Sequence, residues 1–219
     1  MDFRFLYNRY VRNLRLQDGY RWTFGLGIAR EKWLESTILQ KRRCLVDVGA
    51  NVGAWSIPAS KFYDEIIAYE PSPRPRNALL RNLRLNNVKN VDVRPYALDF
   101  EGGTRDLYTY RNNGHDSFYA SRGGFEMTGK RVRVKVTSLD DEKLEPSLIK
   151  VDTEGFEINV LKGALGTVNQ HHPILVVETH FSKDPDEIER LIPEYGFERF
   201  TDKPPDLSQT WLVGKSKSC

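Results

Sequence analysis

The chain has 219 residues, of which 39% are apolar and 29% charged, the make-up of a globular protein with its own core and not of a disordered segment. Lysine and arginine number 33 against 30 acids, and a net charge of +3 is too small an excess to argue for nucleic acid. No apolar run reaches the roughly 18 to 20 residues of a membrane span. The first residues lack the apolar core of a secretory signal, and Cys44 and Cys219 cannot make a zinc site. The expectation is a cytoplasmic protein.

Residues 1–43 read as an N-terminal helical appendage. Phe3, Leu6, Tyr10, Val11 and Leu14 recur at helical spacing among Arg4, Arg9, Arg12 and Arg15, and a second helix is expected over Glu31–Leu39. The simpler role is packing on the domain. The alternative is peripheral contact with an anionic membrane or a lipid-linked substrate.

From Cys44 the pattern alternates. Strands are expected over Cys44–Val48, Ile66–Tyr69, Val91–Tyr96, Leu148–Val151 and Ile174–Glu178, then shorter ones over Phe197–Phe200 and Thr210–Val213. Helices are expected over Trp55–Phe62, Asn77–Leu85, Glu157–Leu165 and Pro185–Tyr195, the last stopped by Gly196. Strands separated by helices imply an α/β fold, a doubly wound, mostly parallel sheet that binds ligands outside its carboxyl ends. Arg105–Tyr110, Ser117–Ala120 and Arg131–Thr137 break the rhythm and read as an inserted β-hairpin layer. The charged run Leu139–Glu145 reads as a solvated face.

Five stretches carry chemistry. In Asp47-Val48-Gly49-Ala50-Asn51-Val52-Gly53 a strand enters a glycine turn and a helix start, where backbone comes close to a ligand and N–H groups face it. Glu70 ends the next strand, where an acid accepts both hydroxyls of a ribose. A dinucleotide would want a second glycine where Asn51 stands, so a nucleoside without a pyrophosphate fits better. Asp152 and Glu154 follow the fourth strand and point into the crevice, while Glu157 reads mainly as an acid at a helix start. Glu178 and His180 end the fifth strand, next to the fourth, so Asp152, Glu178 and His180 are expected to converge. Asn113-Gly114-His115-Asp116-Ser117 reads first as a turn in the insert, with His115 or Ser117 as possible substrate contacts.

These motifs resemble the FkbM family of S-adenosylmethionine-dependent methyltransferases. The residues that carry the resemblance are VDVGANVG at 46–53, YEPSP at 69–73, LRLNNVKNV at 83–91, YALD at 96–99, SLIKVDTEGFEINVLKGA at 147–164 and VVETH at 176–180. The resemblance implies the class I methyltransferase, Rossmann-like architecture over residues 44–219. It implies that Asp47, Gly49, Asn51 and Gly53 lie along the methionine part of the cofactor and that Glu70 binds its ribose. Ala97 and Leu98, with Asp99 beside them, would border the adenine. Asp152 and Glu154 would face the transferred methyl and the acceptor, a hydroxyl of a sugar, glycan or related small metabolite.

His180 or Asp152 is then the candidate base, with Glu154 and Glu178 orienting the acceptor or the histidine. A divalent cation held by Asp152, Glu178 and His180 is a less favoured variant. The alternatives are an RNA methyltransferase, allowed by Arg4, Arg9, Arg12, Arg15, Arg21, Arg30, Arg42 and Arg43, and a non-catalytic nucleoside-binding module.

Overall fold

The computed structural model describes residues 37, 39–110, 116–119, 127–180, 186–201 and 209–217. The expected N-terminal helices and His115 lie outside the described residues.

A seven-stranded sheet organises the fold, in the order β3-β2-β1-β7-β8-β10-β9. Its strands are β1 (Arg42–Val48), β2 (Tyr63–Tyr69), β3 (Val91–Arg94), β7 (Leu148–Val151), β8 (Ile174–His180), β9 (Tyr195–Thr201) and β10 (Gln209–Ser216). The strands from β3 to β8 pair in parallel, and β10 pairs antiparallel with both β8 and β9. The order reverses between β1 and β7, so the crevice for a ligand opens above these two strand ends.

Both faces of the sheet are covered, as the near-continuous apolar strands require. On one face Leu45, Ile66, Leu148, Val176 and Trp211 pack with Trp55 and Ala59, next to a cluster of Ala68, Ile57, Leu79 and Leu83. The helices on that side are α1 (Ser56–Ala59) and α2 (Pro73–Leu85). On the other face Val46, Ile67, Ile149 and Leu175 pack with α3 (Glu157–Lys162), α4 (Leu165–His171) and α5 (Asp186–Leu191). Among the described residues, no helix is long and apolar enough to cross a membrane.

The insert forms a separate three-stranded sheet, β4-β6-β5, from β4 (Ala97–Leu98), β5 (Gly103–Tyr110) and β6 (Met127–Thr137). Ser117 meets Tyr108 in a single bridge, so the strand expected over Ser117–Ala120 is not formed across its described residues.

Several boundaries differ from expectation for local reasons. Helix α2 starts at Pro73, because proline in a first turn withholds only an N–H with no helical partner. The helix expected over Trp55–Phe62 is a single turn, and the one expected over Glu157–Leu165 divides at Gly163 into α3 and α4. Gly196 does not stop a helix; it lies in β9, paired with Lys215. The third strand ends at Arg94, and Ala97 and Leu98 turn into the second sheet.

The run Leu139–Glu145 is a solvated face only in part: Asp141, Lys143 and Glu145 are exposed, and the other residues are wholly or partly buried. Leu139 is fully buried. Asp140 caps α4 by accepting from the amides of Gly166 and Thr167 at 3.0 and 2.6 Å. Glu142 accepts from the Tyr69 and Tyr96 hydroxyls at 2.9 and 3.1 Å and pairs with Arg94. These three partners tie the ends of β2 and β3 to the turn after the insert.

Candidate active site

A cleft opens where β1, β2 and β7 end, with the insert as its far wall. Gly49, Asn51, Glu70, Asp152 and Glu154 line it, as do Ala97 and Leu98. The sequence analysis singled out all seven.

The loop after β1 is shaped by backbone contact. Gly49 has φ +75°, and a Cβ there would lie 1.8 Å from the carbonyl oxygen of Asp152. Only glycine lets the ends of β1 and β7 come this close. Asn51 also has a positive φ, 50°, a conformation asparagine tolerates. Its side-chain Oδ1 is buried and has no hydrogen-bond partner among the described residues.

Glu70 joins this loop to the next. Its Oε2 accepts from the Asn51 amide at 2.8 Å, and its Oε1 accepts from the Ser72 amide at 2.9 Å. Burial pushes its pKa up to about 7. The two amides and Arg76 oppose that rise, and the nearby Asp116 carboxylate adds to it.

The loop after β7 is shaped by a side chain. Glu157 Oε1 accepts from the Thr153 amide (3.0 Å), the Thr153 hydroxyl (3.1 Å) and the Gly155 amide (2.9 Å). Glu157 is buried, so it does more than sit at a helix start. It holds Glu154 at φ 60°, a left-handed conformation that costs a non-glycine residue roughly 1–2 kcal/mol.

The insert reaches over both loops. Asp116 Oδ1 accepts from the Tyr110 amide at 2.8 Å, and its Oδ2 accepts from the Ser72 hydroxyl at 2.5 Å. The Ser117 hydroxyl donates to the Glu154 carbonyl at 3.1 Å. The Phe118 ring packs on Phe156 with centroids 4.8 Å apart. Asp116, Ser117, Phe118 and Phe156 all line the cleft.

Other expected site residues sit elsewhere. Asp47 is wholly buried behind the cleft, where it accepts from the Ser56 hydroxyl at 2.5 Å and pairs with Lys150 at 3.3 Å. It does not line the cleft; Lys150 links it to Asp152, which does. Gly53 does not line the cleft either: a Cβ there would lie 2.6 Å from Leu79 Cδ1, so this glycine serves the packing of α2. The Asp99 carboxylate turns inward to Arg105, Asn159 and the Phe100 amide.

Glu178 is buried, on the strand beside Asp152, because Val151 pairs with Val177. Its charge acts on Lys150. Of the three residues expected to converge, Asp152 lines the cleft and Glu178 does not; the backbone of His180 pairs with Gln209, and its side chain lies outside the described residues. Among the described residues, no group of three His, Cys, Asp or Glu side chains is placed to hold a metal ion.

Three contributors are not apparent from the sequence. Lys150 stands inside a quoted motif, but a lone lysine among strand residues gives no sign of being buried. Asp116 and Phe118 reach the cleft only through the pairing of the insert, which local sequence does not encode. Asp116 was visible only as a turn residue.

A doubly wound sheet with a glycine loop after its first strand and a carboxylate at the end of its second is a nucleoside-binding, Rossmann-like frame, the fold of class I methyltransferases. The profile of the methyltransferase FkbM domain matches residues 47–199. Methyltransferase 1 of Beauveria bassiana is 29% identical over 202 residues, covering 78% of this chain and 80% of that protein. The hexuronic acid methyltransferase AglP of Haloferax volcanii is 29% identical over 153 residues, covering 68% of this chain and 61% of that protein. A solved structure, the methyltransferase FkbM from Methylobacillus flagellatus, superposes with a TM-score of 0.59 at 18% identity and covers 96% of this chain. The chain spans 57% of the length of that protein. The chain belongs to the FkbM methyltransferase family, whose methyl donor is S-adenosylmethionine.

The residues present fit that donor. Glu70 places at the cleft wall a carboxylate able to accept from ribose hydroxyls, Asn51 offers a buried acceptor without a partner among the described residues, and Gly49 a backbone that admits close approach.

Proposed function

We propose that the protein methylates a hydroxyl of a sugar, a glycan or a related small metabolite in the cytoplasm. One observation carries this reading: Asp152 and Glu154 stand on a cleft also lined by the Phe118 and Phe156 rings, with no lysine or arginine among its described lining residues. Carboxylates accept hydrogen bonds from hydroxyls, and aromatic faces cover the apolar face of a sugar ring. A nucleic-acid backbone would meet only like charge there, which argues against RNA. The name of the Haloferax relative, a hexuronic acid methyltransferase, supports a sugar acceptor.

The donor supplies a methyl group already activated on a sulfonium. Catalysis then rests on alignment and on removal of one proton. Glu70 and the Gly49–Asn51 loop hold the donor, and Glu154 binds the acceptor. In this reading Asp152 takes the hydroxyl proton as the new bond forms, with His180 the alternative base and Glu178 an orienting group. A magnesium ion at the acceptor would instead show as activity lost in excess chelator and restored by the metal.

The test is transfer of labelled methyl from S-adenosylmethionine to separate pools of neutral saccharides, uronic acids and RNA. Alkali-stable label in a saccharide pool is expected. Label confined to RNA would overturn the proposal, and alkali-labile label in uronic acids would move the acceptor atom from a hydroxyl to a carboxyl.

A further inference from the structure

Lys150 is 2% exposed and does not line the cleft, yet it touches residues that do. Its Nζ lies 3.3 Å from Asp47 Oδ1 on β1 and 3.4 Å from Asp152 Oδ2 past the end of β7. It also donates to the Gly49 carbonyl at 3.3 Å. Asp47 is wholly buried, whereas the Asp152 side chain is 25% exposed at the cleft wall. The ammonium therefore stands nearly midway between a carboxylate in the core and one in the site.

We propose that Lys150 is a positioning residue for the cofactor: its ammonium fixes the Gly49 carbonyl and the Asp152 carboxylate against each other, so that both meet the methionine end of S-adenosylmethionine in place. The proposal rests on the reading of this cleft as the donor site.

Three observations support it. First, Gly49 and Asp152 are in backbone contact where the sheet order reverses, and Lys150 is bound to both. A small shift of either strand end would alter two walls of the cleft together. Second, one buried partner would be enough to neutralise Asp47. The ammonium is placed to hold Asp152 and the Gly49 carbonyl as well. A buried ion pair can often be replaced by apolar residues without loss of stability, so neutralising Asp47 does not by itself account for a lysine at this place. Third, the cation persists. Burial pulls the Lys150 pKa down, but the carboxylates of Asp47, Asp152 and Glu178 outweigh burial and hold it above the ordinary lysine value.

A role as counter-ion to Asp47 alone predicts something different, and a charge-balanced variant separates the two. Lys150→Met alone strands Asp47 in the core and is expected to melt well below the wild type. Adding Asp47→Asn removes that charge and leaves an oxygen to accept from Ser56. The double variant is expected to regain most of the melting temperature. It should still bind S-adenosylmethionine and S-adenosylhomocysteine at least about tenfold more weakly than the wild type, because the Gly49–Asp152 contact stays untethered.

Wild-type affinity in a folded double variant would overturn the proposal. A wild type that binds neither compound would overturn the donor-site reading itself. If the double variant does not fold, the wild type still decides the matter by nitrogen-15 spectroscopy of lysine ammonium groups. The slowly exchanging, buried ammonium signal should shift when S-adenosylhomocysteine is added, and an unchanged signal would overturn the proposal.

Discussion

Two buried glutamates gather the loops around the cleft, and the two gatherings differ. In the first, Glu70 takes the amides of Asn51 and Ser72 and also lines the cleft. In the second, Glu157 takes the amides of Thr153 and Gly155 and the Thr153 hydroxyl, and it does not line the cleft. In the function proposed above Glu70 is thus both scaffold and ligand group, while Glu157 is scaffold alone. One device, a carboxylate collecting backbone donors, shapes a loop where it faces inward and, in that reading, serves binding where it faces the cleft.

Substitutions can break or sharpen that contrast. The largest effect is expected from Gly49→Ala, because the new Cβ would collide with the Asp152 carbonyl that joins the two loops. Binding of S-adenosylmethionine should become undetectable by calorimetry. Next is Glu70→Ala, which removes a carboxylate able to accept two hydroxyls and should weaken binding by about 100-fold. Glu157→Gln should act the other way round. Its melting temperature is expected to fall by about 5 °C, with affinity reduced by less than about fivefold. If Glu157→Gln cost more affinity than Glu70→Ala, the division between scaffold and ligand group would be wrong. The smallest effect belongs far from both loops: Asp140→Ala removes the cap of α4, should lower the melting temperature by about 3 °C, and should leave affinity unchanged.

The same contrast explains what the sequence made legible. The Gly49 loop and Glu70 each follow directly on the end of a strand, and the role proposed for each follows from residue type and place. The parallel strands were readable because they are short apolar runs with helices between them. Asp47 and Gly53 were readable as motif residues, but their direction was not. The former turns to Lys150 and Ser56, the latter to Leu79, and only the packed sheet decides that. The run Leu139–Glu145 misled for a related reason. Its charges look solvated in isolation, yet Asp140 and Glu142 find partners across the fold in Thr167 and in Arg94, Tyr69 and Tyr96. Lys150 was hidden for the same cause, since a lysine in a strand reads as a surface residue until three neighbouring strand ends supply its carboxylates.

The account turns on Glu70 as the donor's ribose ligand, and its titration gives the most direct test. In the free protein burial raises Glu70 to about 7, so it is largely protonated at pH 6 and largely ionised at pH 8. Only the ionised form accepts from both ribose hydroxyls. Calorimetric titration of the wild type with S-adenosylmethionine should therefore give affinity about tenfold tighter at pH 8 than at pH 6, and the difference should vanish in Glu70→Gln. The opposite trend in the wild type, or no binding at either pH, would contradict the account.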